Sequence, residues 1–438
     1  MEASLGAVLV LMLVMMIVMT SGLPVPFALG GTAILAVLVF WDPSGFISVS
    51  NGVWSTFIGD SYVAIPMFLL MANILERTGI ADDLYEMMYN WMSGIRGGLA
   101  MATVVICAIF GAMCGGSGAA TVTMGLIALP SMKKRGYDEK IAMGVILAGG
   151  VLGIIIPPSI PMVILSQYSR SISVGKLFFA GVIPGILCAI IYCIYIGVRC
   201  AINPNLCPAI PKEERPSWNE KVKSLSAVIA PAILIVAVLG SIYMGLATPV
   251  EAAGLGAGCS IIIALLRRKL TIKILNESLA KTLKLIGMIL WILAAAAMLN
   301  TVLNVMGVNK LLQDAAMALP GGANTVMILM MLLNFVLGCL MDDYAVITLT
   351  APIYLPLIEA LGIDPLWFSL IFMLNLQMAY LTPPYGFNLF FLKSIVPKDV
   401  PVTRIYKAAI PFIALQLVAL LICWNFPTLI TWLPSKLI

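Results

Sequence analysis

Along this chain, apolar runs alternate with short polar joints from one end to the other. A helix needs about 20 apolar residues to cross the hydrocarbon of a bilayer. Uninterrupted runs of that order lie at 3–20, 23–41, 61–77, 177–200, 224–245, 249–267, 282–305 and 405–433. Other runs are broken. Two split at small or acidic residues, 97–114/117–132 and 320–340/343–361, and two are cut by paired prolines, 139–170 at Pro157-Pro158 and 366–395 at Pro383-Pro384. Segments 79–92 and 307–318 are short, carry charge and alternate apolar with polar positions. That pattern predicts amphipathic helices lying along the membrane interface.

The breaks carry the information. Glycine lets a half-helix end, as in Cys114-Gly115-Gly116-Ser117-Gly118, and proline removes a backbone donor while clashing with the preceding turn. Inside hydrocarbon such backbone is tolerated only where protein covers it or where it lines a cavity. Interrupted segments side by side therefore predict a binding site within the membrane.

Composition agrees with a membrane class. The chain has 438 residues, 61% hydrophobic and 10% charged, against roughly a quarter charged in soluble domains. It reads as an all-α polytopic membrane protein with no room for a sizeable soluble domain. Met1-Glu2-Ala3-Ser4 lacks the basic flank of a signal peptide, so the first run is expected to be retained. The net charge of +5 sits in short loops, where it sets orientation and gives no sign of nucleic-acid binding. The nine cysteines lie mostly inside apolar runs without metal-type clustering, Cys200 and Cys207 being the nearest to a pair. With no histidine, a Ser–His–Asp triad, a histidine zinc site and a histidine proton relay are excluded.

Charge tests the topology. If each pair split at small or acidic residues is a re-entrant hairpin, and the N-terminus is outside, 21 of the 25 Lys and Arg residues fall inside. Only Arg170, Lys176, Lys310 and Lys436 fall outside. Complete crossing by either pair would swap the later loops and erase the asymmetry, so the positive-inside rule favours two hairpins, ten full spans and both termini outside. The halves also repeat: an offset of 226 maps Pro130 to Pro356, Gly136 to Gly362, Asp138 to Asp364 and Pro157-Pro158 to Pro383-Pro384. With hairpins opening to opposite sides this is an inverted repeat, common in secondary transporters. The predicted division is a first repeat at 1–202 (scaffold 1–78, arm 79–92, transport elements 97–175, span 177–200), a cytoplasmic linker at 203–223, and a second repeat at 224–438 (scaffold 224–305, arm 307–318, transport elements 320–395, span 405–433).

Few residues suit chemistry. Gly115–Gly118 is neither a nucleophile loop, for want of a base, nor a P-loop, for want of Lys before Ser117. Small-residue helix packing is one reading of it. The other is a tip whose carbonyls and Ser117 or Thr121 hydroxyl ligate a hard cation, with half-helix amides facing an anion. Asp342 and Asp343 stand at the second break with no basic residue nearby in sequence. A carboxylate at bilayer depth costs about 2.5–3.5 kcal/mol, which a bound Na⁺, protonation or a water-filled tip could each offset. Thr248-Pro249-Val250-Glu251 predicts a helix-opening capping box. Trp41, Trp424 and Trp432 read as interfacial anchors. Asn73, Asn300, Asn334, Asn375 and Gln377 read first as helix-to-helix hydrogen-bonding residues. No Arg or Lys lies deep in a predicted span, so an anionic substrate would be held by amides and hydroxyls with sodium offsetting its charge.

The strings GSGAATVTMG, LGIIIPPS, TPVEAAG, MDDYAVITLTAPIYLPLIEALGIDP and LTPPYGFNLF resemble the large membrane (M) subunit of tripartite ATP-independent periplasmic (TRAP) transporters, DctM-like, over almost the whole chain. The resemblance implies a non-enzymatic, elevator-type permease of the bacterial inner membrane that imports an organic anion, typically a carboxylate, with the sodium gradient. It implies two partners, a periplasmic substrate-binding protein and a small four-helix membrane subunit, the latter expected as a separate chain. It needs no cofactor beyond Na⁺ and no transition metal. Carried over by position, sodium would lie at Ser117, Gly118, Pro157 and Ser159 and at Gly338, Asp342, Thr382 and Pro383. Substrate would sit between the hairpins, at Gly116, Thr121, Pro158, Asp343, Pro384, Tyr385 and Asn388. The extra acid Asp343 and the bulky Tyr385 depart from the family pattern. The alternatives are a stand-alone proton- or sodium-coupled dicarboxylate carrier without a binding protein, a channel, and an intramembrane aspartyl enzyme, for which no facing acid is found.

Overall fold

In the computed structural model, which describes residues 5–169, 171–211 and 215–436, the apolar runs fold as helices and no strand occurs among the described residues. The chain opens with α1 (Leu5–Thr20), α2 (Val25–Phe40), α3 (Gly45–Phe57), α4 (Ala64–Glu76) and α5 (Ile80–Met92). Gly79, at φ +73°, turns α4 into α5 with a bend of 60°, a left-handed conformation that glycine adopts without strain. The predicted arm at 79–92 is thus a helix. Its apolar face, however, is covered by protein: Ile80, Leu84, Tyr85 and Met87 are buried where α5 packs on α6 (Gly98–Cys114). Helix α3 has no counterpart among the predicted elements, because Ser48, Ser50, Asn51 and Ser55 dilute its hydrophobic signal.

From α6 the chain runs through α7 (Ser117–Lys134), α8 (Glu139–Val151), α9 (Ile160–Ser166) and α10 (Val174–Ile202). After the joint come α11 (Trp218–Ser224), α12 (Ser226–Ile235) and α13 (Ser241–Tyr243), the last two joined through a π-turn at Val236–Gly240. The predicted linker therefore ends in helix, opened by a Ser217/Glu220 capping box. Next are α14 (Pro249–Leu266), opened by the predicted Thr248/Glu251 box, and α15 (Ile272–Val305). The latter starts well before the predicted residue 282, because the Thr271 hydroxyl caps it by accepting from Ile274 N. At 34 residues it extends about 51 Å. Its charged first turns thus project past a ~30 Å hydrocarbon layer, where Lys281 pairs with Glu76 at 2.6 Å and Glu277 pairs with Arg77.

The chain ends with α16 (Val308–Ala318), α17 (Gly322–Leu340), α18 (Asp343–Ala360), α19 (Pro365–Ala379), α20 (Phe387–Lys393), α21 (Val402–Asn425) and α22 (Thr428–Thr431). Six described helical stretches are long and apolar enough to cross a membrane alone, or seven if bent α4 and α5 count as one. Helices such as α2, α6 and α19, of 15 to 17 residues, reach only about 23–26 Å. The expected ten full crossings thus depend on joining helices across breaks.

Two four-helix sets correspond, α6 to α9 and α17 to α20. Asp138 and Asp364 cap α8 and α19 alike, each accepting from the amides two and three residues ahead. The sets interlock crosswise, α7 against α20 and α18 against α9. Helix α10, 29 residues and about 44 Å long, serves as a ruler. Beyond its C-terminus, Leu206 O accepts from Asp138 N at 2.8 Å and Cys207 O accepts from Gly97 N at 3.1 Å, at the open ends of α6 and α7. Before its N-terminus, Ser171 Oγ donates to Glu359 at 3.0 Å, at the open end of α18. The two helix pairs therefore open at opposite ends of α10.

Candidate functional site

At the first tip, Gly115 (φ +66°) ends α6, its N–H donating to Gly111 O at 2.8 Å. Gly116 is extended with open space on its Cβ side, and α7 begins at the buried Ser117 without a side-chain cap. The helix ends leave backbone groups without intrahelical partners. After α8, a tight turn at Leu152–Ile154 and a cis Pro157-Pro158 bond precede Ser159, whose hydroxyl donates to Ile154 O at 2.5 Å. Tip and break touch backbone to backbone, with Ile160 N donating to Gly115 O at 3.1 Å. Glycine makes this approach possible. A Cβ on Gly153 would lie 2.8 Å from Gly116 O, and one on Gly111 would lie 2.9 Å from Gly153 Cα.

The second tip is built differently. Helix α17 ends at Leu340, Met341 is extended, and the half-buried Asp342 caps α18 by accepting from Ala345 N at 2.7 Å. Negative charge there is favoured by the helix N-terminus. Asp343 is buried: its Oδ1 accepts from Tyr380 OH at 2.9 Å, and Tyr380 OH in turn accepts from Asp343 N at 2.6 Å. Neither aspartate belongs to any ion pair among the described residues. The second break, with cis Pro383-Pro384, again meets the tip, since Tyr385 N and Gly386 N donate to Cys339 O at 3.3 and 3.4 Å. Gly338 lies against Ala379, where an added Cβ would come within 2.7 Å, and the Thr382 hydroxyl is turned back onto Met378 O at 2.9 Å.

Between the tips, the predicted substrate residues divide. Thr121 Oγ1 donates to Asn388 Oδ1 at 2.7 Å and Asn388 Nδ2 donates to Leu147 O at 2.8 Å, all buried. These two side chains latch α7 to α20. Tyr385 is 53% exposed and Gly116 faces open space, so both remain accessible. Gly118 packs on the Phe391 ring, where an added Cβ would come within 2.9 Å. Of the amide side chains, Asn73 bonds Thr282 at 2.8 Å and Asn334 bonds Asn375 at 2.9 Å, whereas the buried Gln377 has no hydrogen bond at either amide atom. Tyr380 and Tyr406, which donates to Pro384 O at 2.8 Å, are contributors that no local pattern in the sequence marks. The donor set is carbonyl, hydroxyl and carboxylate oxygen, which suits hard cations. No group of three Cys, Asp or Glu that could hold a metal ion occurs among the described residues.

The chain matches the family described as "Tripartite ATP-independent periplasmic transporter, DctM component" over residues 10–429. It is 31% identical to the C4-dicarboxylate TRAP transporter large permease protein DctM of Vibrio cholerae, covering 98% of each. It is 29% identical to the ectoine TRAP transporter large permease protein TeaC of Halomonas elongata, covering 85% of this chain and 86% of that one. Among solved structures, the YdaH transporter of Alcanivorax borkumensis superposes with a TM-score of 0.63 at 13% identity over 90% of each chain, a likeness of fold.

Proposed function

The chain belongs to the DctM component family of tripartite ATP-independent periplasmic transporters, and from that premise we propose that it is the sodium-coupled permease for an organic anion. As a member it is a multi-pass inner-membrane transporter component and not an enzyme. The relatives' printed substrates, C4-dicarboxylates and ectoine, put a small carboxylate-bearing solute first. Its partners are a periplasmic binding protein that delivers the solute and a small membrane subunit that braces the permease.

The observation that carries the reading is the pairing of each tip with a proline-broken turn, at Gly115–Ile160 and at Cys339–Tyr385/Gly386. Each pairing gathers helix-end carbonyls, hydroxyls and, at the second, Asp342. We assign sodium to Ser117, Gly118, Pro157 and Ser159 and to Gly338, Asp342, Thr382 and Pro383. Substrate lies between the tips, against Gly116, Pro158, Pro384 and Tyr385, with Thr121, Asn388 and Asp343 shaping the wall. The two helix pairs are re-entrant hairpins of an inverted repeat. Transport elements 97–175 and 320–395 move as one elevator against the scaffold, with 79–92 and 307–318 as arms. Each sodium crossing inward contributes about 2.3 kcal/mol per 100 mV, which permits accumulation without ATP. The test is uptake in proteoliposomes carrying the permease, small subunit and binding protein. Replacing sodium by choline abolishes uptake on this reading; undiminished uptake without sodium on either side overturns it.

A further inference from the structure

The first tip rests on α4. Ala72 of α4, Ala81 of α5, Cys114 at the end of α6 and Ala120 of α7 form one small buried cluster with Phe110. Glu76 stands four residues on from Ala72, and so on the same face of α4. Its carboxylate accepts from Lys281 Nζ of α15 at 2.6 Å, and the two side chains are 23% and 41% exposed. Arg77 follows one position later, turned about 100° around the helix, and pairs with Glu277 on the neighbouring face. Of these two ion pairs, one belongs to the tip: the charges that act on the Cys114 thiol are those of Glu76 and Lys281.

A cation is thus set beside a tip that otherwise offers an anion neutral groups. Gly116, two residues past Cys114, has open space on its Cβ side, and α7 starts at Ser117 with no side-chain cap over its first amides. Lys281 lies within the first three turns of α15, which leave the basic loop Arg267-Arg268-Lys269, and so serves the inner side by the positive-inside rule. Its pair is weakly held, because ions this exposed are loosened by water and salt. An incoming carboxylate replaces that of Glu76 group for group, so the lysine keeps a partner throughout the exchange. Glu76 supplies the return, since it takes Lys281 back and repels the departing anion.

We propose that Lys281 is the scaffold's receiver for the substrate carboxylate at the first tip, exchanging Glu76 for that carboxylate as the anion leaves Gly116 toward the inner side. The inference rests on the permease reading above and adds a charged residue from outside the transport elements to the path.

The test uses inside-out membrane vesicles carrying the full-length permease with Gly116→Cys. Two methanethiosulfonates of similar size are added, one ending in a carboxylate and one in a trimethylammonium group, and modification at position 116 is followed by mass spectrometry. The carboxylate reagent is expected to react faster. Lys281→Gln should lower the carboxylate-to-ammonium rate ratio about tenfold, each reagent shifting a few-fold in opposite senses as one unit charge is removed. Glu76→Gln should raise the ratio, while Lys281→Arg and Arg77→Gln leave it unchanged. Lys281→Gln and Glu76→Gln break the same ion pair, so a merely structural role lowers the melting temperature in both and moves the ratio in neither. The same rates at Ala119→Cys, a position packed on the cluster around Cys114, keep the test open if Gly116→Cys fails to fold. A ratio unmoved by Lys281→Gln, or moved the same way by Lys281→Gln and Glu76→Gln, would overturn the proposal. Uptake that persists in choline would contradict the sodium coupling and leave the role of Lys281 in place.

Discussion

The two tips occupy corresponding positions in the two four-helix sets, α6 to α9 and α17 to α20, and differ in chemistry. The first is neutral and made of backbone: Gly111, Gly115 and Gly153 let main chains approach until Ile160 N reaches Gly115 O. The second carries two acids, one capping α18 and one held by Tyr380. The two sets thus share the geometry of a helix end meeting a broken helix, while their tips differ in charge. The first tip should be sensitive to added bulk and the second to lost charge.

The largest expected effect is at Asp342. Asp342→Asn removes the charge but keeps an oxygen for Ala345 N, and should lower sodium-dependent uptake about 100-fold, from the loss of roughly 3 kcal/mol for a charged interaction. Unchanged uptake with Asp342→Asn would remove the distinction between the tips. Next is Gly115→Ala, which forces a side chain into left-handed backbone 3.0 Å from Pro158 O. A cost of about 1–2 kcal/mol, plus the displaced contact, should show as a lower melting temperature with little change at Gly116→Ala, where space is open.

This asymmetry was partly legible in the sequence. The offset of 226, the paired prolines and the acids at 342 and 343 stand in the letters, because helix breaking is a local property of glycine and proline. Tyr380, Tyr406 and the Thr121–Asn388 latch were not legible as partners, since each bond joins positions 22 to 267 residues apart and no local period encodes such contacts. Helix α3 and the true start of α15 escaped for the converse reason. The Thr271 cap of α15 is local, but the polar residues of its first turns, like those of α3, read as loop when hydrophobicity alone is counted.

Smaller effects sharpen the comparison further. Thr121→Val leaves the buried Asn388 oxygen without its donor and should cost about 1–3 kcal/mol of stability, read as a shift in the denaturation midpoint. Tyr380→Phe removes one neutral donor from Asp343, and should weaken uptake less than Asp342→Asn does. Smallest is Glu139→Gln, which breaks partly exposed pairs to Lys133 and Arg404 at 3.2 and 3.1 Å and should change stability by less than about 1 kcal/mol.

The most direct measurement is sodium-binding stoichiometry of the purified permease and its Asp342→Asn variant, by equilibrium binding of radioactive sodium. With a cation at each tip, the variant should bind one sodium fewer than the native chain and keep the site at Gly115–Ile160. Equal stoichiometry in the two proteins, or no saturable sodium binding in either, would contradict the assignment of cations to these tips.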